Sequence, residues 1–295
     1  MNTTASISPV RRDIKFNVDP EKVLSWHPNN PFMVYLLNVA SITFPDGERF
    51  FIDAVRAHLD VAKDKPELEK DIRAFIGQEA MHGREHEIYN EYYENKVGSL
   101  FTHQLRFNMW IIQRIKKNLP KRYWLLATVA LEHLTAIGGA TLLENQEIIE
   151  EADEAYKGIW MWHALEETEH KAVAFDVYQE AYGKDDNFSA YISRCVALLV
   201  MTTLYFIEII PFFLALAFKQ KKLFSFTAWK TFGKIVLRIM GKDLIPDWLD
   251  WFKRGFHPWE HDNIIKLKEF EDYLGGVPSP FTMKVDASNH EAKPV

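Results

Sequence analysis

Residues 161–170 read MWHALEETEH, placing two histidines and three glutamates in ten positions just after Trp160. Solvated helical faces are commonly rich in Glu, but His163, Glu167 and His170 follow one another at spacings of four and three. Those spacings bring side chains onto one stripe of a helix. The stretch therefore predicts a helix that points two imidazoles and a carboxylate at a common partner. What that partner is depends on what the rest of the chain brings to it.

The motif Glu-x-x-His occurs twice in the chain, as Glu167 with His170 and as Glu79 with His82 in IGQEAMHGREH. Taken alone, Glu79 and His82 also suit an ordinary exposed helix pair. Two further glutamates stand in helical stretches that are apolar on the matching face. Glu48 precedes Phe51, Ile52 and Val55, and Glu132 lies in LLATVALEHLTAIGGATLL. A carboxylate buried there without a partner costs several kcal/mol or takes up a proton. A metal cation removes that cost.

Glu, Glu-x-x-His, Glu and Glu-x-x-His in chain order, from four helices, match the ferritin-like carboxylate bundle, in which two metals sit between the helices. Two divalent ions about 3.5–4 Å apart need anionic bridges, and neutral imidazoles complete their shells without overcharging the site. The expected fold class is all-α, a ferritin-like four-helix bundle carrying a dinuclear metal site, with extra C-terminal helices. With His163 added, the order is similar to that of di-iron enzymes of the p-aminobenzoate N-oxygenase type. That resemblance implies Glu48, Glu79, His82, Glu132, His163, Glu167 and His170 as ligands, with Glu79 and Glu167 as bridges. ITFPDGERFF, IGQEAMHGREH, LEHLTA, WHALEETEHK and GFHPWE also resemble a bacterial family described as predicted metal-dependent hydrolases, over most of the chain. His86, at i+7 on the Glu79 stripe, reads as an eighth ligand, a second-layer donor to the ligands or a partly exposed helix histidine. His133 points about 100° from Glu132 and is not expected to ligate. His257 and His261 read as structural, Asp53 and Glu85 as solvated.

The chain has 295 residues, enough for a sizeable core. Its 35 basic and 41 acidic residues give a net charge of -6, and the basic ones are spread rather than massed. Nothing resembles a nucleic-acid footprint. The single cysteine, Cys195, rules out an internal disulfide and any Cys-built zinc site, which fits a reducing compartment. No apolar run of signal-peptide length follows the polar start. The expected location is cytoplasmic, peripheral at the inner membrane if the apolar stretch described next touches lipid.

Along the chain, residues 1–44 read as an irregular N-terminal segment and 45–184 as the metal-binding bundle, with helices near 46–62, 66–94, 100–118, 121–145 and 150–183. Residues 185–277 read as apolar and amphipathic helices packed on it, and 278–295 as a flexible tail. Residues 195–218, CVALLVMTTLYFIEIIPFFLALAF, hold one charge, Glu208. About twenty apolar residues span a bilayer, yet a buried helix pair broken at Pro211, a membrane-docking surface or the wall of a substrate tunnel fits equally.

The functional expectation is a metalloenzyme with two iron ions (manganese or zinc as alternatives), activating O2 to oxidise a small hydrophobic or aromatic substrate. Phe75, Leu131, Leu134, Ile137 and Trp162 would shield the centre from water. No flavin or nicotinamide motif is visible, so electrons would come from an external donor protein. A dinuclear hydrolase using a metal-generated hydroxide is the alternative, and a non-catalytic ferritin-like iron-binding protein the third. A homodimer is compatible with the sequence.

Overall fold

In the computed structural model, residues 7–183, 187–276 and 281–285 are described. The described chain is almost entirely helical, with α1 (Pro31–Ser41), α2 (Phe44–Arg56), α3 (Pro66–Val97), α4 (Ser99–Asn118), α5 (Lys121–Glu144), α6 (Glu154–His170), α7 (Val173–Tyr182), α8 (Phe188–Lys219), α9 (Phe226–Ile239), α10 (Ile245–Asp250) and α11 (Ile264–Gly276). The helix starts follow local chemistry. Pro31, Pro45 and Pro66 occupy first-turn positions, where a missing N–H is harmless. Asn30, Asp153 and Asn187 cap α1, α6 and α8 through their side-chain oxygens.

The stripe Ile72, Phe75, Glu79, His82, His86, Tyr89 and Tyr93 on α3 is buried along its whole length and changes from apolar to polar and back. The same banding recurs nearby. Leu125–Ala130 of α5 joins one apolar core while Leu143 joins another, with Glu132 and His133 between them. Residues Ala155–Leu165 of α6 belong to one core and Val173–Tyr178 of α7 to the other, with Glu166–His170 between. A buried polar band thus lies between two hydrophobic cores and is built from four helices, α2, α3, α5 and α6. Gly139 lets α5 approach α6, since a Cβ there would lie 2.8 Å from the Ala164 carbonyl oxygen.

Four expectations need correction. The N-terminal segment is not irregular throughout: β1 (Arg12–Phe16) and α1 both form in it, and α1 packs on α3, α8 and α9. The tail is not wholly frayed, because β2 (Phe281–Val285) pairs antiparallel with β1, Arg12 opposite Val285 and Phe16 opposite Phe281. The expected 150–183 helix is two helices, interrupted at Lys171 and Ala172. Pro211 neither breaks α8 nor ends it. The carbonyl it leaves without an N–H donor belongs to Ile207, an exposed residue, so solvent can satisfy it. The GKDDN loop and the last ten residues of the tail fall wholly or partly outside the described residues.

Candidate metal centre

Glu48 of α2, Glu79 and His82 of α3, Glu132 of α5, and His163, Glu167 and His170 of α6 converge in the polar band, all buried. Their donor atoms form two groups. In one, ligand atoms of Glu48, His82 and His163 lie within 4.8 Å of one another; in the other, those of Glu79, Glu167 and His170 do. Glu132 joins the second group, its Oε2 standing 3.3 Å from His170 Nε2, which is itself 3.1 Å from Glu79 Oε1. Glu167 spans both. Its Oε1 is 3.0 Å from His163 Nε2 and 3.4 Å from His82 Nδ1, while its Oε2 is 3.6 Å from His170 Nε2.

Seven donors so close together demand positive charge. Both carboxylate oxygens of Glu48, Glu79 and Glu132 are buried without a hydrogen-bond donor, as are Glu167 Oε2 and His170 Nε2. Such groups are rare in folded proteins unless an ion satisfies them. Burial and neighbouring carboxylates push Glu48 up to about 8, Glu132 up to about 7 and Glu79 well above the ordinary range, even against the pull of nearby imidazoles. Burial opposes ionisation of Glu167 as well, but His170, His163 and His82 hold it well below. The donor set is carboxylate and imidazole only, which fits two divalent cations, one at each group.

A second layer fixes the imidazoles. His163 Nδ1 lies 2.8 Å from His86 Nε2, and His86 Nδ1 lies 2.8 Å from Ser41 Oγ. Ser41 donates its proton to Asn90 Oδ1, and Asn90 Nδ2 donates to the Ser41 carbonyl. Ser41 must then accept from His86 Nδ1, which leaves His86 Nε2 as acceptor and His163 Nδ1 as donor. His163 Nε2 is left with its lone pair toward the centre. His86 is neutral, since burial and then the neighbouring His163 and His82 hold it well below its usual value. His170 follows the same logic: Gln78 Nε2 donates to Glu169 and to the Val10 carbonyl, so Gln78 Oε1 accepts from His170 Nδ1. His82 Nε2 stands 3.1 Å from Glu166 Oε2, turning Nδ1 inward.

Arg12 holds this outer layer together from β1. It reaches Glu166 at 3.2 Å and both oxygens of Glu169, at 2.9 and 2.6 Å. Burial disfavours its charge, but Glu169 and Glu166 keep it firmly protonated. Arg12, Gln78, Glu166, Glu169, Ser41 and Asn90 were not singled out from sequence. The available signal was MWHALEETEH itself: Glu166 and Glu169 fall off the ligand stripe, and a helix buried on every side needs a cation for them.

Phe75 and Trp162 are buried edge-on against His170 and His82, with ring centres 5.0 and 4.8 Å away, and Phe44 lies 4.6 Å from His163. Leu131 lines a chamber instead. That chamber lies between α2, α4, α5 and α8 and holds about 770 Å³ of space not filled by atoms, the solvent at its mouth included. Glu48 and Glu167 are part of its wall, and most of the rest is apolar. His133 packs against Trp251 away from the cluster, and His257 pairs with Asp176 at 3.0 Å. His261 stands 3.5 Å from Asp250. Asp53 is partly exposed beside Lys116, but Glu85 is not solvated: it is buried and accepts from Arg84 Nε and the Phe16 amide.

Residues 10–262 match the family model described as predicted metal-dependent hydrolase, and the chain belongs to that family. No curated protein and no solved structure matches it. The resemblance to p-aminobenzoate N-oxygenases gains no support from these comparisons.

Proposed function

We propose that this metal-dependent family member is a dinuclear enzyme that uses two irons and O2 to oxidise an apolar substrate. The carrying observation is the pairing of a carboxylate-rich donor set with an apolar chamber that reaches Glu48 and Glu167. Glu48, His82 and His163 would hold one metal, Glu79, Glu132 and His170 the other, and Glu167 both; the bridge expected of Glu79 is not part of this assignment, because its carboxylate stands with one group only. Bound there, iron would supply the oxidation of substrate at the expense of O2 and an external reductant.

The chain's own residues account for the rest. His86 and Gln78 keep His163 and His170 in the tautomer that offers Nε2 inward. Phe44, Phe51 and Leu131 line the chamber and exclude water from the reacting region. Four carboxylates would balance the charge of two divalent cations, with the three imidazoles neutral when they ligate. Electrons would arrive from a partner protein.

A second reading, hydrolysis with zinc or manganese activating water, is favoured by the family description, which supports the first only as far as its dependence on metal. Purified protein, and a Glu167→Ala control, would be assayed for bound metal, reduced without air and followed by visible absorption as O2 is admitted. Two irons per chain and an O2-dependent band lost in the control support oxidation. Zinc or manganese with no response to O2 puts hydrolysis first.

A further inference from the structure

At the α8 wall of the chamber the apolar lining gives way to Glu208 and Asn108. Both are buried, 5% and 8% exposed. Asn108 Nδ2 donates to Glu208 Oε2 at 3.2 Å, and the Gln104 side chain, whose amide also donates to the Val39 carbonyl, is within hydrogen-bonding reach of the same carboxylate. Two acceptors remain without a donor, Glu208 Oε1 and Asn108 Oδ1. Among the described residues no lysine, arginine or histidine lines the chamber. A carboxylate among such walls has no structural purpose that a leucine would not serve at lower cost.

We infer that Glu208 and Asn108 form the polar end of the substrate site and seat the head of an apolar molecule whose head donates hydrogen bonds, an ammonium before a hydroxyl. This rests on the chamber being the substrate site of the proposed enzyme. Vacant acceptors require a donor. An anionic head is disfavoured at Glu208: it would face a carboxylate with no lysine, arginine or histidine in the lining to pair it. The orientation follows as well. A head seated on Glu208 and Asn108 leaves the hydrocarbon body to the apolar lining shared with Glu48 and Glu167. Burial supports the same pairing from the protein's side, since it pushes Glu208 up to about 7 and an adjacent ammonium would restore its charge.

The test is calorimetric titration of the full-length, metal-loaded protein with n-octylamine, 1-octanol and octanoate at slightly alkaline pH. Octylamine is expected to bind, octanol more weakly, and octanoate not measurably. Glu208→Gln, which keeps shape and removes charge, is expected to weaken octylamine about tenfold or more, the worth of one charge-assisted hydrogen bond, with little effect on octanol. Asn108→Leu should weaken both. Metal content, measured on each variant, is expected to stay at the wild-type value. Octanoate binding as tightly as octylamine overturns the assignment. So does octylamine binding that Glu208→Gln leaves unchanged, which would place the amine on an outer apolar face, and so does a failure of octylamine to bind the wild type. A wild-type protein without metal overturns the enzyme reading instead, while the effect of Glu208→Gln on octylamine still reports on the chamber.

Discussion

Arg12 is a single cation enclosed with two glutamates, and its position makes it the residue on which the outer layer of the centre depends. Removing one partner of a buried ionic cluster leaves the other charges without compensation, which costs about 3–5 kcal/mol. Arg12→Ala should lower the free energy of unfolding by that amount in urea titrations. It should also weaken metal binding about 10- to 100-fold, because Glu166 would no longer be held against His82; competition with a chelator measures this. Glu208 gives a prediction in pH. Burial raises its pKa from an ordinary 4.5 to about 7, so between those values the folded protein holds a proton that the unfolded chain has released. Stability from this group is therefore complete below pH 4.5 and is lost as pH rises toward 7, at up to about 1.4 kcal/mol per unit. Comparison of wild type with Glu208→Gln across that window isolates the slope, which the variant should lack.

Two neighbouring glycines on α5 separate helix propensity from helix packing. Gly138 is exposed with open space where a Cβ would go, whereas a Cβ on Gly139 meets the Ala164 backbone at 2.8 Å. Gly138→Ala should stabilise the protein by about 0.5–1 kcal/mol, as alanine does for a mid-helix glycine. Gly139→Ala should destabilise it by about 1–3 kcal/mol and lower metal content, since α5 would move off α6 and carry Glu132 away from His170. Thermal unfolding with metal analysis on both variants gives the contrast, and equal behaviour of the two would remove Gly139 from the account. This difference marks the limit of what the chain's letters reveal. The helices of the bundle and the convergence of Glu48, Glu79, His82, Glu132, His163, Glu167 and His170 were legible, because a ligand stripe is written in spacings of three and four within one helix. Arg12 was not, since its contacts with Glu166 and Glu169 cross more than 150 positions. Strand β1 was missed because five residues paired with a partner at the opposite end of the chain carry little local pattern. The break at Lys171 left no trace either, as no proline or glycine marks it.

At the scale of the molecule, α8 does two jobs on opposite faces. Its inner face buries Leu198, Met201 and Glu208 against the bundle and chamber, while Val196, Leu199, Val200, Phe206, Ile207 and Ile210 face outward. Helices α5 and α8 are both long and apolar enough to cross a membrane, but α5 is 72% buried over its most apolar window and α8 only 28%. A helix that buries a glutamate on a folded bundle is poorly suited to span lipid alone. The exposed apolar surface continues through Phe218, Phe224, Phe226 and Leu237, interleaved with the exposed cations Lys219, Lys221, Lys222, Lys230, Lys234 and Arg238. Apolar side chains set among lysines match the interface of an anionic bilayer, where each cation contributes about 1 kcal/mol. The protein is therefore expected to float with vesicles rich in phosphatidylglycerol, to bind phosphatidylcholine vesicles far less, and to be released by high salt. Replacing Phe224 and Phe226 with serine should abolish flotation without lowering thermal stability, because both rings are exposed. Retention through an alkaline carbonate wash would show a spanning helix instead, and a dimer in solution that these serines dissociate would assign the face to a second copy of the chain. The chamber lies on the inner side of this same helix, so under the proposed function turnover of a membrane-dissolved apolar substrate should rise with the fraction of protein bound to vesicles.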